Sequence, residues 1–376
     1  MYNKSIILIF LISLVVLFGC SKPVRNELAI NMDVNLFPPK YHGNEKTDFD
    51  NIDFRKPHEK GSRKYRLLSD PDGDIDRTKG YDPAEYTVAP DFARINNPEQ
   101  DIQITWIYHS SFLIQLGGKY QILTDPVLAP IDGFVGWFMG LFDSFKLQAQ
   151  PPVKIKDLPF NNMEMANLVA ISHDHYDHLN WNTIKQLPLD INYFVPKNIN
   201  EDFPSRYSKV TGMNWYGKRM VGDLTVNFLP ANHRSGRGLI TVKPDLWGGW
   251  LFEYKNKKIY FAGDTGYSDL FKEIRRRYGK IDICLMPISA WFQRNWHLAP
   301  EDAICAAQDL GCKVFIPWGW GTWIMSYEHI LDPPRRLQYA WDQMKPENME
   351  LHILKMGEMF SLDFNNSQDS PGKGSK

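Results

Sequence analysis

The sequence predicts an α/β chain whose buried strands end in clusters of polar residues. In "NLVAISHDHYDHL" an apolar run, Leu168 to Ile171, leads directly into histidines, and "WNTIKQL" reads as the helix that follows. "LTVNFLPANH" is a second strand running to His233, and "KKIYFAGDTGYSDLFKEI" a third running to Asp264, with a Gly-bounded turn and a helix behind it. Glycine beside such positions lets backbone approach closely. Upstream, "IQITWIYHSSFLIQLGGKYQILTDPVL" shows short β-rich runs joined by Gly117-Gly118, the pattern of hairpin strands. Strand, polar cluster and helix recur in that order. Such repetition assembles one site from distant segments.

The whole chain sets the bounds. Its 376 residues suit one large domain or two smaller ones, and a net charge of −1 gives no global basic field for nucleic acid. The first residues, "MYNKSIILIFLISLVVLFGC", read as a processing signal. Lys4 supplies a positive start, and the apolar run from Ile6 to Phe18 is short of the ~20 residues that span a bilayer. Leu17-Phe18-Gly19-Cys20 is similar to a bacterial lipobox, in which Cys20 is lipidated and becomes the mature N-terminus. The alternative is an uncleaved membrane anchor. Either way the remainder is expected outside the cytoplasm at a membrane surface, in a bacterial envelope and in particular at the outer membrane. Beyond Cys20 only Cys284, Cys305 and Cys312 remain, an odd number that excludes a full disulfide framework. None forms a C-x-x-C pair near the histidines, so a sulfur-rich zinc site is not expected.

Residues 21–100 are polar, Pro- and Asp-bearing and weakly periodic, a tether plus an N-terminal extension packed on the domain. Within them "DPDGDIDR" suggests calcium, but counting from Asp72 the sixth position is Arg77 and the twelfth Pro83, where a calcium loop needs Gly and Glu. A solvated turn fits better. The domain proper is expected over 101–364, followed by a disordered polar tail, 365–376.

"SHDHYDHLNW", residues 172 to 181, carries the chemistry. Ten histidines serve the whole chain, yet His173, His175 and His178 fall within six consecutive residues, with Asp174 and Asp177 between them. A merely solvated loop would be built from Gly, Ser, Asn or Lys. Imidazoles and carboxylates at this spacing are what a borderline-soft divalent ion takes from a turn.

These residues resemble the HxHxDH signature of the metallo-β-lactamase superfamily, with His233 and the Asp264 of "FAGDTGY" matching its next two ligand positions. Within it, "HSSFLIQLGGKYQILTDPV", "LWGGW", "FAGDTGY", "HLAPEDA" and "EHILDPP", in that order, resemble the branch of N-acyl-phosphatidylethanolamine-hydrolysing phospholipase D and its RomA-like relatives, over roughly residues 100–362. The resemblance implies a four-layer αβ/βα sandwich. It implies one zinc held by His173, His175 and His233, and a second by Asp177 and His178, with Asp264 bridging both. Two close cations would acidify a shared water and stabilise charge on a phosphoryl oxygen. Asp174 is not a ligand position and would serve behind the ligands or in a solvent-facing turn.

One departure stands out. The family's last ligand is a histidine in a segment resembling "HWGTF", where this chain reads "VFIPWGWGTWIMSYEHILDPP". Ungapped counting puts Gly319 there, and a two-residue insertion puts Pro317 there; neither has a ligating side chain. The expectation is therefore a tight zinc site and a second, weaker one, with water filling the gap and histidine restored at either position raising occupancy. Neither His297 nor His329 is an obvious substitute, since the family pattern already has histidines there.

Residues 131–145, "IDGFVGWFMGLFDSF", are apolar and aromatic, and suit a packed segment or a lip touching lipid. Trp137, Phe138, Trp291 and Trp320 are the candidates for substrate or membrane contact, and Trp296, Trp318 and Trp323 could join them. Arg275 to Arg277 read as a solvated helix end. The reading is a lipid-anchored zinc hydrolase, a phosphodiesterase cleaving a phospholipid-type substrate through a metal-bound hydroxide, with Asp177 beside the nucleophile and His297 on the phosphate. The runners-up are another ester or lactone hydrolase of the same fold and a lipid-binding lipoprotein without turnover. Membrane lipid is the expected partner; the sequence leaves the oligomeric state open.

Overall fold

A computed structural model describes residues 78–131, 147–162, 164–237, 245–291, 294, 296–324 and 328–363. Cys20, Trp137, Phe138 and the polar tail lie outside the described residues.

Two seven-stranded sheets form the body. The first runs β14-β1-β2-β3-β4-β5-β6, with β1 (Ile102–Tyr108), β2 (Ser111–Leu116), β3 (Tyr120–Thr124), β4 (Ala166–Ala170), β5 (Asn192–Pro196), β6 (Val210–Met213) and the returning β14 (Met359–Leu362). The second runs β13-β12-β11-β10-β9-β8-β7, with β7 (Lys218–Val221), β8 (Leu224–Leu229), β9 (Gly249–Tyr254), β10 (Lys257–Phe261), β11 (Ile283–Pro287), β12 (Val314–Trp318) and β13 (Glu350–Leu351). Each sheet is half antiparallel and half parallel. β1 to β3 and β7 to β10 pair antiparallel, whereas β3 to β6 and β10 to β13 pair parallel.

Burial explains the composition of these strands. β1, β2, β3, β8, β11 and β12 are buried along their whole length, because one sheet covers one face and other elements cover the other. Rings meet across the sandwich, Phe112 with Phe261 and Phe194 with Trp250, each pair at 6.4 Å between centroids. Helices α3 (Leu270–Tyr278), α4 (Pro300–Leu310) and α5 (Asp332–Met344) pack in sequence beside β11. On the first sheet, α1 (Phe92–Asn96) and the one-turn α2 (Trp181–Ile184) are accompanied by short 3₁₀ turns, and Tyr193 of β5 meets Phe203 at a tilt and Tyr207 edge-on. This is the α/β sandwich expected from the sequence. Among the described residues no helix is long and apolar enough to cross a membrane.

The described part of the N-terminal extension docks on this body. Thr87 bridges to Met356, and Tyr86 stacks on Tyr81 and meets Trp320 edge-on at 5.7 Å. Cys284 in β11 and Cys312 before β12 form a disulfide with a Cα separation of 6.1 Å, leaving Cys305 free and buried. Closing a loop of this length constrains the unfolded chain by about 3.5 kcal/mol in the chain-entropy account.

Two motif glycines are forced by close packing. A Cβ on Gly248 of "LWGGW" would lie 2.1 Å from the Leu229 carbonyl oxygen. Gly263, with φ +60°, would place one 2.6 Å from the Gly248 carbonyl oxygen and 2.7 Å from the Ser172 Cβ. Gly263 therefore locks the β10 end against the β4 end. Gly263→Ala is expected to cost about 2–4 kcal/mol, from backbone strain plus overpacking, and to lower the thermal unfolding midpoint by several degrees. An unchanged midpoint would show that the two strand ends are free to separate.

Candidate metal centre

Six chain segments, all near strand ends, bring their polar groups to one place. They follow β1 (His109), β4 (His173 to His178), β8 (His233), β10 (Asp264), β11 (His297) and β12 (Gly319 to Thr322). In parallel sheets this carboxyl edge is where ligands bind.

The segment after β4 is held from behind. Asp125, fully buried after β3, accepts from the Ser172 backbone N–H at 2.6 Å and from its hydroxyl at 2.5 Å. It also accepts from His178 Nδ1 at 2.6 Å. Because the Ser172 hydroxyl gives its proton to Asp125, it accepts one from His173 Nδ1, at 2.9 Å. His233 Nδ1 donates to the Trp296 carbonyl at 3.0 Å. These bonds fix the tautomers and leave the Nε2 atoms of His173, His178 and His233 bare and facing inward. Asp174 is turned inward rather than towards solvent, accepting from the Ser235 hydroxyl at 2.6 Å and the Gly236 N–H at 2.7 Å. It ties the histidine run to the His233 loop.

The inward atoms form two clusters. His173 Nε2 lies 2.9 Å from His175 Nδ1, which lies 3.3 Å from His233 Nε2. Asp264 Oδ2 closes this group, 4.0 Å from His173 Nε2 and 3.8 Å from His233 Nε2. Tetrahedral zinc bonds of about 2.0–2.1 Å place neighbouring nitrogens about 3.3 Å apart, so the donor set fits such an ion. Burial pushes all three imidazoles below the ordinary histidine range, leaving them neutral and able to ligate. The second cluster is His109, Asp177 and His178, with Asp264 Oδ2 3.3 Å from His178 Nε2. That Nε2 is buried and makes no hydrogen bond, an orphan that a metal ion would satisfy. Burial opposes charge on His178, but Asp264, Asp177 and Asp125 outweigh it and raise its pKa. The same carboxylates would attract a cation in place of the proton. Burial also opposes charge on Asp264 and Asp177, yet the surrounding imidazoles hold both below the usual carboxylate range.

A pocket of about 60 Å³ opens onto both clusters, lined by His109, Asp177, Asp264, His297 and Gly319 among others. It has room for small ions and a few waters.

Residues 120–320 match the family model described as a beta-lactamase superfamily domain. The chain is 30% identical over 298 residues to the N-acyl-phosphatidylethanolamine-hydrolyzing phospholipase D 1 of Caenorhabditis elegans, covering 74% of this chain and 80% of that one. It is 38% identical over 97 residues to the outer membrane protein RomA of Klebsiella pneumoniae, covering 25% of this chain and 72% of that one. A metallo hydrolase from the archaeon Ignicoccus hospitalis shares the fold, with a TM-score of 0.53, 19% identity, and 70% and 99% of the two chains covered.

The chain belongs to the metallo-β-lactamase superfamily. It is a metal-dependent hydrolase of that fold, in the branch that includes N-acyl-phosphatidylethanolamine-hydrolysing phospholipase D and RomA.

Every superfamily ligand position named from the sequence meets at this point. The ring centroids of His173 and His233, distant in the chain, lie 4.8 Å apart. His297 lines the pocket, its ring 5.1 Å from that of His233 and its Nδ1 3.7 Å from Asp264 Oδ2. His329 also lines the pocket, but both its ring nitrogens are engaged, Nε2 with the Lys79 carbonyl at 3.0 Å and Nδ1 with the Leu331 N–H at 3.2 Å. Gly319 lines the pocket, whereas Pro317 precedes Trp318, whose ring faces His178 at 6.1 Å, so Pro317 points to the opposite face of β12. The ungapped count therefore names a position on the pocket wall. Restoring histidine there meets a new obstacle, because Gly319 has φ +92° and a Cβ would lie 3.0 Å from the Ser289 hydroxyl. Raised occupancy is therefore no longer expected of that substitution.

Trp291 and Trp320 are only 5% and 3% exposed. Trp291 packs under Arg336, and Trp320 packs against Trp106 and Tyr86 while lining the pocket with Trp318 and Trp323. Arg276 and Arg277 pair with Glu273 on α3, a solvated helix end as expected. Sequence reasoning gave no role to His109, Asp125 or Ser172. The first two lie inside quoted branch motifs, but only tertiary contact reveals what they do. Asp125→Asn is expected to unpin His178 and weaken the second metal position about 10- to 100-fold, measured by competition with a chromophoric chelator. Unchanged affinity at both positions would deny Asp125 that role.

Proposed function

We propose that this chain is a membrane-tethered, zinc-dependent phosphodiesterase acting on an N-acyl-phosphatidylethanolamine-like phospholipid. The observation that carries the reading is the single Asp264 oxygen lying within 4.0 Å of His173, His178 and His233. A shared carboxylate between two donor clusters suits a pair of ions, and paired ions suit phosphoryl transfer. The named substrate of the C. elegans relative supports the lipid class. An all-nitrogen-and-oxygen donor set rich in imidazole supports zinc.

When bound, the ions supply Lewis acidity to the phosphoryl oxygens and a nucleophile from water at neutral pH. The chain's own residues do the rest. His173, His175 and His233 would hold one ion and Asp177 and His178 the other, with Asp264 within reach of both. His297, at the pocket wall, contacts a phosphoryl oxygen of the substrate. Asp177 accepts a hydrogen bond from the attacking water and orients it. The water oxygen bonds to phosphorus, the bond from phosphorus to the headgroup oxygen breaks, and a proton from that water ends on the leaving headgroup oxygen, giving a phosphatidate and an N-acylethanolamine.

The lipobox at Cys20 supports a lipid anchor. The Cys284–Cys312 disulfide supports an oxidising compartment, and the similarity to an outer membrane protein supports the bacterial envelope.

Detergent-purified protein is expected to release N-acylethanolamine from such a lipid and to lose that activity on chelation, with zinc restoring it. Cleavage confined to carboxyl esters or lactones would replace the phosphodiesterase reading with the other hydrolase. Metal binding with no turnover on either class would leave the lipid-binding lipoprotein. Cys20→Ser is expected to leave unprocessed or soluble protein; unchanged mass and membrane fractionation would favour an uncleaved anchor.

A further inference from the structure

We propose that His109 is a ligand of the second metal position, which lacks the histidine that the family pattern places at residue 319. This rests on the two-ion reading above. The ligand atoms of His109, Asp177 and His178 all lie within 4.8 Å of one another. His109 Nε2 is 3.5 Å from Asp177 Oδ2, which is 3.6 Å from His178 Nε2. Donor atoms at these separations can share one ion through bonds of about 2 Å.

The surroundings of His109 are those of an oriented ligand. Its Nδ1 is bonded to the Thr322 hydroxyl at 2.8 Å, so the free Nε2 faces the cluster. Its ring packs edge-on against Trp323 at 4.7 Å, and only 6% of the residue is exposed. The backbone is left-handed, φ 45°, a conformation that a non-glycine residue adopts only where its surroundings impose it. The Trp106 indole N–H holds that backbone by donating to the His109 carbonyl at 2.9 Å. The sharp turn between β1 and β2 thus aims the ring inward.

The segment that lacks the histidine, "GWGT", leaves the pocket wall open at Gly319, and its Thr322 orients His109. Among the described residues neither His297 nor His329 joins a donor group with Asp177 and His178, and both ring nitrogens of His329 are engaged, with the Lys79 carbonyl and the Leu331 N–H. The second position then has three side chains of its own plus the bridging Asp264, where sequence analysis had expected water.

The test uses the detergent-purified full chain, titrated with zinc and separately with cobalt(II), whose visible absorption reports its ligands. The wild type is expected to bind two ions per chain. His109→Ala is expected to keep one ion and bind the other at least about 100-fold more weakly, with a changed cobalt spectrum for that ion alone. Thr322→Val keeps the ring but removes its orienting partner, and is expected to weaken the same ion about 10-fold. If circular dichroism shows His109→Ala unfolded, Thr322→Val decides. Two ions with unchanged affinities and spectrum in the folded variant would overturn the assignment, as would equal weakening of both ions. A wild type that binds a single ion also overturns it while leaving hydrolysis open. A wild type with two ions and no phosphodiesterase activity sinks the substrate reading and leaves His109 a ligand.

Discussion

Asp125, Asp177 and Asp264 crowd around the buried imidazole of His178, and four more histidines (His109, His173, His175 and His233) close the surrounding shell. Taking several ionisable groups out of water is costly unless their charges are balanced. The protein balances part of the cluster internally, through Asp125 on His178 and through neutral, tautomer-fixed imidazoles. What remains is a set of bare nitrogens and charged oxygens aimed at common points. A divalent cation is the counter-charge such an arrangement lacks, and the rest of the site is organised around supplying its ligands.

The scaffold makes that arrangement rigid. Each sheet switches from antiparallel to parallel pairing, so the carboxyl ends of β4, β10, β11 and β12 open along one edge. Gly248 and Gly263 let the ends of the two sheets approach to backbone contact, and the Trp250 indole donates to the Ile171 carbonyl at 3.0 Å, immediately before the histidine run. Positions in the core are therefore transmitted to the ligands with little slack.

The wall carrying His297 depends on a buried ionic network. Arg294 pairs with Asp302 and, at 3.6 Å, with Glu301 at the start of α4, while Arg336 of α5 grips Glu301 through both carboxylate oxygens. The network staples the loop between β11 and α4 to two helices. The same loop provides the Trp296 carbonyl that fixes His233. Removing one partner would leave a buried charge uncompensated, which costs more than the intact pair contributes.

The sequence by itself determined the fold class and most of the residues that meet at the candidate metal centre. Strand ends that deliver His173, His175, His178, His233 and Asp264 are local patterns, and local patterns survive in one dimension. It also showed that the family's last histidine was missing, at residue 319 or 317. Only the tertiary structure decided what stands in its place. His109 lies far from Asp177 and His178 in the chain, and its role depends on a left-handed turn, a hydroxyl from Thr322 and a ring from Trp323, none of which leaves a local trace. The same reason hid Asp125, whose three side-chain hydrogen bonds all cross from β3 to the end of β4, and composition alone could not tell that Trp291 and Trp320 are buried. Periodicity and motif spacing report which residues end a strand. Which of those ends meet is set by how two sheets stack, and that is a property of the whole core.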